Sequence, residues 1–115
     1  MKISDYEISE THRLPNGRSL ILFASHPKDG VVCEDILGKE ICLFDDNRCL
    51  LWKIDPEPGS TVGHDRTFDR SSTVVFDFVH ISHEGGLYFA EKYNGDVFEM
   101  DIDNGSAKFA FWKKT

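Results

Sequence analysis

The chain has 115 residues, with 13 Lys and Arg against 20 Asp and Glu, which gives a formal net charge of −7. This length suits one domain with a core of its own, so we predict a single β-rich domain over residues 1–115. The acidic balance disfavours direct binding to nucleic acid or to anionic membranes and favours basic partners.

The first part of the chain is predicted to form short strands. Residues 5–9 (DYEIS) and 18–25 (RSLILFAS) have strand composition, and the second segment stops before Pro27. Residues 31–39 (VVCEDILGK) predict one or two helical turns that end at Gly38. No longer window keeps the apolar spacing of a helix, so we expect little helix in the whole protein.

Residues 39–55 (KEICLFDDNRCLLWKID) have the pattern of a β-hairpin. A two-residue loop at its centre would place Ile41 opposite Trp52 and Leu43 opposite Leu50, and these apolar cross-strand pairs stabilise a hairpin. Both sides of the hairpin are apolar at the middle, which indicates a central position in a sheet.

Residues 56–72 (PEPGSTVGHDRTFDRSS) interrupt the strand pattern and predict a long internal loop. The loop contains His64, a candidate general base that Asp65 or Asp69 could orient, which is the chemistry of a small hydrolase or nuclease. After the loop, residues 73–82 (TVVFDFVHIS) are nearly all apolar and predict a deeply placed strand.

The C-terminal third predicts a three-stranded meander over residues 85–113, with hairpin turns at Asn94-Gly95 and Asn104-Gly105. Asn-Gly favours a two-residue type I′ turn, in which both residues have positive φ. This register divides the strands into an apolar core face and a wet face. The core face is predicted to hold Leu87, Phe89, Phe98, Met100, Ile102, Ala107, Phe109 and Phe111. The wet face is predicted to hold Tyr88, Ala90, Lys92, Val97, Glu99, Asp101, Lys108, Ala110 and Trp112.

Four residues of the wet face form a candidate partner-binding surface. Tyr88 and Trp112 would be aromatic anchors beside the carboxylates of Glu99 and Asp101, and aromatic side chains supply much of the energy of protein interfaces. Carboxylates on alternate residues are also typical of the solvent side of an antiparallel sheet. Asp65 and Asp69 are a second candidate set for the same role.

The sequence predicts neither a metal site nor a cofactor site. Cys33, Cys42 and Cys49 are odd in number and lack C-x-x-C spacing, so we expect reduced, packed thiols in a cytoplasmic protein. In the segment HISHE, His80 and His83 would point to opposite sides of a strand and would not share a metal ion.

The stretch GGLYFAEKYNGDVFEMDIDNGSAKFAFW, residues 85–112, resembles the closing strands of the SUKH-type immunity proteins of bacterial polymorphic toxin systems. The positions that match are Phe89, Gly95, Asp101 and Trp112. That family opens with helices, whereas here RLPNG is followed by a strand, so the resemblance does not extend to the SUKH fold. It implies the broader class of small acidic antitoxins, which includes contact-dependent inhibition immunity proteins.

Together these features predict an all-β antiparallel fold, either a sandwich or a strongly bent sheet, and a non-enzymatic function. The leading hypothesis is an immunity protein that binds and neutralises a basic toxin, such as a nuclease, through the acidic and aromatic face. The alternatives are the small hydrolase or nuclease that uses His64, and a carbohydrate-binding or structural β-module in which aromatic rings stack on sugars.

Overall fold

The computed structural model describes residues 2–27, 30, 32–57 and 77–113, and it confirms the all-β prediction. Nine strands form two sheets, and the only helical elements in these ranges are two short 3₁₀ segments, Ile3–Asp5 and Glu34–Ile36. The strands are β1 (Ile8–Arg13), β2 (Ser19–Phe23), β3 (Ile41–Phe44), β4 (Leu50–Lys53), β5 (Asp55–Pro56), β6 (Phe78–Glu84), β7 (Leu87–Lys92), β8 (Asp96–Met100) and β9 (Ser106–Trp112).

The first sheet has the order β1-β2-β3-β4 and is antiparallel throughout. The second sheet has the order β5-β9-β8-β7-β6, in which β7, β8 and β9 form the predicted meander. The second sheet is mixed, because the two-residue strand β5 runs parallel to β9. Strand β6 lies at its edge, so the prediction that residues 73–82 form a deeply placed strand is wrong for the part that the structure describes, 77–82.

The two sheets pack face to face, and the main core lies between them. Alternation along each strand sends every second side chain into this layer. Phe98 at its centre is 1% exposed and packs edge-on against Phe78, with ring centroids 5.9 Å apart. The core residues are Leu14, Leu20, Leu22, Ile41, Leu43, Ile54, Phe78, Ile81, Ala90, Phe98, Met100 and Ala107.

A second, smaller core covers the other side of the first sheet. The two 3₁₀ segments lie over Phe23 and Phe44, both of which are fully buried. The Tyr6 hydroxyl donates a hydrogen bond to the carboxylate of Asp35, which joins the two covering segments. That bond, with burial, raises the pKa of Tyr6 to about 12. The first sheet is therefore covered on both sides.

Two carboxylates fasten the sheets to each other. Glu40 is fully buried and accepts hydrogen bonds from the backbone N–H of Gly38, at 2.9 Å, and of Phe78, at 3.1 Å. Burial raises the pKa of Glu40 above its ordinary value. Glu10, on the edge strand β1, accepts hydrogen bonds from His12 at 2.9 Å and from His80 of β6 at 2.8 Å.

The predicted hairpin over residues 39–55 forms, but its register is wrong by two residues. Leu43 lies opposite Trp52 rather than opposite Leu50. One residue of this shift comes from a three-residue loop, 46–48, in which the N–H of Arg48 bonds to the carbonyl of Asp45 at 3.0 Å, and the other comes from an irregularity in the pairing between Leu43 and Phe44. Arg48 has a φ of 65°, the left-handed conformation that completes this common type of hairpin loop. Strand β3 is central, as predicted, whereas β4 is an edge strand.

The first predicted strand is also displaced along the chain. Residues 3–5 form a 3₁₀ turn, and β1 begins at Ile8 rather than at Asp5 and continues to Arg13. Strand β2 lies within the predicted range 18–25, and the predicted short turn within 31–39 is the 3₁₀ segment that precedes Gly38.

Candidate functional site

The turn between β7 and β8 decides which side chains of β7 face outward. The sequence predicts a two-residue type I′ turn, but the loop has three residues, 93–95, and the N–H of Gly95 bonds to the carbonyl of Lys92 at 3.0 Å. Gly95 has a φ of 98°, whereas Asn94 is not in the positive region, so the type I′ prediction is wrong. Tyr88 consequently pairs with Met100, whereas the predicted two-residue turn would pair it with Asp101. A shift of one residue turns β7 over, which exchanges its core side and its solvent side.

Tyr88 and Trp112 therefore do not lie where the sequence places them. Tyr88 is half-buried, packs against the main core and stacks on His83 with ring centroids 4.1 Å apart. An irregularity in the pairing of β8 with β9 places Trp112 opposite Asp96, on the side of the sheet that faces the core. The Trp112 indole N–H donates to the carbonyl of Asn94 at 3.0 Å, and its ring lies over the turn.

Gly95 explains why Trp112 can lie there. A Cβ at this position would come within 2.9 Å of the Trp112 indole nitrogen and within 2.1 Å of the Lys113 carbonyl oxygen. The second turn of the meander uses the same device, because a Cβ on Gly105 would meet the Trp52 ring at 2.6 Å. Both tryptophans in the described chain thus cover a glycine turn rather than offer a surface for a partner.

The side of the second sheet that faces away from the first sheet carries a different aromatic pair. Phe89 lies opposite Glu99, and Phe111 lies opposite Val97. The rings of Phe89 and Phe111 are 6.3 Å apart between centroids. Phe111 is 51% exposed and Leu87 is 45% exposed, and neither of the two cores includes them. We call this side of β6, β7, β8 and β9 the outer face.

The outer face has an acidic border. Its carboxylates, taken from the strand register, are Glu84, Glu91, Glu99 and Asp101, and its lysines are Lys108 and Lys113. Four carboxylates against two lysines leave two negative charges in excess. Lys113 lies 3.5 Å from Glu91, and Lys108 lies opposite Glu99 on the neighbouring strand. Asp101 is exposed at the end where β8 leaves the sheet.

The structure brings together only part of the predicted site. Glu99 and Asp101 are exposed on one face, as expected, but Tyr88 and Trp112 belong to the opposite side. Asp101 also shapes its own turn, since its carboxylate accepts the N–H of Asp103 at 2.9 Å.

Asp65 and Asp69, the second candidate set, lie outside the described residues. So does His64, the candidate base of the hydrolase alternative.

Sequence reasoning missed Phe89 and Phe111, which it assigns to the core. A signal for the correct register was present in the charges near the turn. A three-residue loop places Lys92 opposite Asp96, an opposite-charge pair, whereas the two-residue loop places Lys92 opposite Val97. The irregularity that turns Phe111 outward has no comparable signal in the sequence.

One constellation has the residue types of a nucleophilic enzyme but not their geometry. Ser25 Oγ lies 3.1 Å from His26 Nδ1, and the same Nδ1 lies 3.3 Å from Asp77 Oδ2. A relay needs the acid and the nucleophile on different ring nitrogens, because the imidazole must pass a proton between them. Ser25 is also only 2% exposed.

Within the described residues, no group of three or more His, Cys, Asp or Glu could hold a metal ion. His80 is bound to Glu10 and His83 is stacked on Tyr88, so the two histidines of HISHE have separate partners. A search of the same residues for a helix able to cross a membrane finds none.

The three cysteines are all in the described chain and form no disulfide. Cys42 is fully buried, and burial raises the pKa of its thiol to about 12. Cys49 is exposed, so the expectation that all three thiols are packed is wrong at this position.

Comparisons with protein-family models, with curated proteins and with solved structures find no match to this chain. The resemblance of residues 85–112 to SUKH-type immunity proteins therefore stays a prediction. What the protein does has to be argued from its surfaces.

Proposed function

We propose that the protein is a non-enzymatic inhibitor of the toxin-immunity class, which binds a basic toxin domain through the outer face of the second sheet. The observation that carries the proposal is the Phe89–Phe111 pair, which lies on a bare sheet face beside acidic residues. Exposed apolar patches bordered by polar groups mark interaction sites more often than chance exposure does.

The apolar part of the outer face would supply affinity. Phe111 and Leu87 each keep about half of their surface in water, at 51% and 45% exposure. Burying a large apolar side chain completely is worth about 1.5–3 kcal/mol, so covering these residues and Phe89 would contribute several times the thermal energy. Val97, already only 3% exposed, gives the patch a rigid floor.

The acidic border would supply selectivity and speed of association. The chain carries a net charge of −7, and the outer face has two carboxylates in excess of its lysines. A toxin that binds nucleic acid must present positive charge to phosphates, and complementary charge accelerates its encounter with an acidic inhibitor. Glu99 and Asp101, both exposed, are the residues we assign to this role.

The resemblance of the C-terminal strands to SUKH-type immunity proteins supports the same class of function. Bacterial origin, a cytoplasmic location and reduced cysteines belong to this proposal as expectations. The partner that the proposal names is a toxin domain encoded by the neighbouring reading frame.

The direct test is a binding measurement with the polypeptide that the adjacent reading frame encodes. We expect a tight 1:1 complex whose association rate falls as salt is added. The double variant Glu99→Lys/Asp101→Lys should slow association about tenfold in low salt. The double variant Phe89→Ala/Phe111→Ala should instead raise the dissociation rate, since truncated anchors weaken the bound state.

A matched control carries the same charge change elsewhere. Glu7 and Glu34 are exposed and belong to the part of the chain before β3, so Glu7→Lys/Glu34→Lys should change association much less. Equal slowing by both charge variants would mean that net charge alone governs the encounter, and the outer face would lose its assignment. Gel filtration of the protein alone would show whether a second copy occupies the face instead.

The two alternatives drawn from the sequence are not favoured by any described residue. The hydrolase alternative rests on His64, and loss of turnover in His64→Ala on a substrate panel would revive it. The carbohydrate-binding alternative rests on Tyr88 and Trp112, which lie on the core side of the second sheet. A positive glycan array would restore it.

A further inference from the structure

The two apolar residues that β7 presents on the outer face each lie directly across from a carboxylate. Leu87 pairs with Glu84 of β6, and Phe89 pairs with Glu99 of β8. Side chains directly opposite each other in an antiparallel pair have Cβ atoms about 4.5–5.5 Å apart. A partner group that covers one of these apolar side chains would therefore also be within reach of an acid.

Glu84 and Glu99 have no cation of their own in the described part of the chain. Glu91, by contrast, is paired with Lys113 at 3.5 Å. Lys108 lies across from Glu99, but no salt bridge within 4.0 Å among the described residues includes Glu84, Glu99 or Lys108. Both unpaired carboxylates are exposed, so a cationic partner could approach them without breaking an existing ion pair.

The aromatic pair adds ring faces to this acidic surface. The rings of Phe89 and Phe111 have centroids 6.3 Å apart and planes 58° apart, and Phe111 is 51% exposed. The face of an aromatic ring is negative and attracts a cation. Within the described ranges, the chain's own cation–π contacts are those of Lys92 with Phe78 and Phe98, on the core side of the second sheet. The rings of the outer face are thus left for a cation from outside.

We propose that the outer face recognises arginine side chains, with a guanidinium lying on the ring of Phe89 or Phe111 and bonded to the carboxylate of Glu99. This inference rests on the proposed function and specifies the chemistry of its partner. A guanidinium fits better than an ammonium, because it is planar and weakly hydrated, stacks on aromatic rings and presents paired N–H donors to a carboxylate. Arginine also commonly binds phosphate, so the same contact would occupy groups with which a nuclease holds its substrate.

The test compares two peptides of equal charge, each titrated into the full chain. Both are acetylated and amidated nine-residue alanine peptides, one with three arginines and the other with three lysines at the same positions. Backbone amide shifts in NMR spectra report binding, with dissociation constants on the order of 1 mM. We expect shifts at Phe89, Glu99 and Phe111, and at least about threefold tighter binding of the arginine peptide.

Two variants locate the preference on the outer face. Phe89→Leu/Phe111→Leu keeps an apolar surface but removes the ring faces, so it should bind the two peptides equally. Glu99→Gln should weaken binding of the arginine peptide at least about threefold. Glu7→Gln makes the same change of charge at an exposed position directly before β1 and should leave binding of the arginine peptide unchanged.

Equal binding of the two peptides by the wild type would overturn the arginine inference, and so would an arginine preference that survives in the double leucine variant. Either result can occur together with a complex between the protein and the neighbouring gene's product, in which case the proposed function stands without arginine recognition. The opposite pair of results, an arginine preference at the outer face but no such complex, would support the inference and contradict the toxin as partner.

Discussion

The two sheets of this protein differ in what covers them. The first sheet is buried on both sides, by the second sheet and by the two 3₁₀ segments. Among the residues that the structure describes, the second sheet is buried on one side only. Phe23 and Phe111 show the contrast, since both lie on the side of a strand that faces away from the main core. Phe23 is 0% exposed, whereas Phe111 is 51% exposed.

The difference shows that an apolar side chain that faces away from the main core can have either of two roles in this fold. On the first sheet such residues are the floor of a second core and contribute to stability. On the second sheet they contribute little to folding and are available to a partner, as we propose. Substitutions on the two sheets should therefore separate loss of stability from loss of binding.

The largest expected effect is Phe23→Ala, which removes a fully buried ring between the first sheet and its covering layer. Truncation of a buried Phe costs about 3–5 kcal/mol, because burial is lost and a cavity remains. Urea denaturation should show a clear fall in the unfolding midpoint. A loss under about 1 kcal/mol would mean that the 3₁₀ segments do not form a second core.

Glu40→Ala should come next, with a loss of about 2–3 kcal/mol, because two buried amides lose their acceptor. Those amides belong to Gly38, beside the covering layer, and to Phe78 of the second sheet. Glu40→Gln is the matched control, since it keeps the shape and one carbonyl acceptor, and it should lose less. Equal losses in the two variants would show that the charge of Glu40 matters and its hydrogen bonds do not.

Glu10→Gln should cost about 1–2 kcal/mol at neutral pH, at the low end for hydrogen bonds to a charged group because the Glu10 side chain is 23% exposed. Burial opposes ionisation of Glu10, but its hydrogen bonds with His12, with His80 and with the backbone N–H of Ile81 together outweigh burial, so the pKa lies below its ordinary 4.5. A lowered carboxyl pKa stabilises the fold above the unfolded value, and this stabilisation is lost as pH falls through the folded value.

The gap in unfolding free energy between wild type and Glu10→Gln should therefore be full at pH 7 and shrink below about pH 4.5. Glu7→Gln, at an exposed position directly before β1, controls for the change in net charge. A gap that stays constant with pH would contradict the assigned bonds to the two histidines.

Phe111→Ala should have the smallest effect on folding, within about 1 kcal/mol, since half of the ring is already in water. Phe111→Ala and Phe23→Ala are the same substitution on an exposed side of the second sheet and on a covered side of the first sheet. A large loss of stability in Phe111→Ala would show that the outer face is part of the folding core after all.

Much of the fold could be predicted from local pattern. Strand composition and the Asn-Gly turns were enough to predict the hairpin over 39–55 and the C-terminal meander. The length of the loop could not be predicted in the same way, since turns of two and of three residues both place a glycine at position 95. The difference of one residue in loop length determines whether Tyr88 or Phe89 faces outward. Cross-strand charge, in the pair Lys92 and Asp96, was the better guide to register.

Of the candidate site, the carboxylates could be predicted from the sequence and the aromatic residues could not. Glu99 and Asp101 alternate on a strand whose inward residues, Phe98 and Met100, are clearly apolar, so their exposure follows from the sequence. The aromatic residues of the site depend on a turn length and on the irregularity in β9. The turn length is signalled in the sequence only by the charge pair Lys92 and Asp96. The irregularity in β9 has no comparable signal, and it accompanies the packing of Trp112 over Gly95.

The most direct test of the outer face as the docking surface is carboxylate footprinting of the complex with the neighbouring gene's product. Labelling of exposed carboxylates, read by mass spectrometry, is compared with and without the partner. We expect Glu99 and Asp101 to be protected in the complex, while Glu7 and Glu34 stay as reactive as in the protein alone. Protection of Glu7 and Glu34 with Glu99 and Asp101 still reactive would place the partner elsewhere and contradict the proposal.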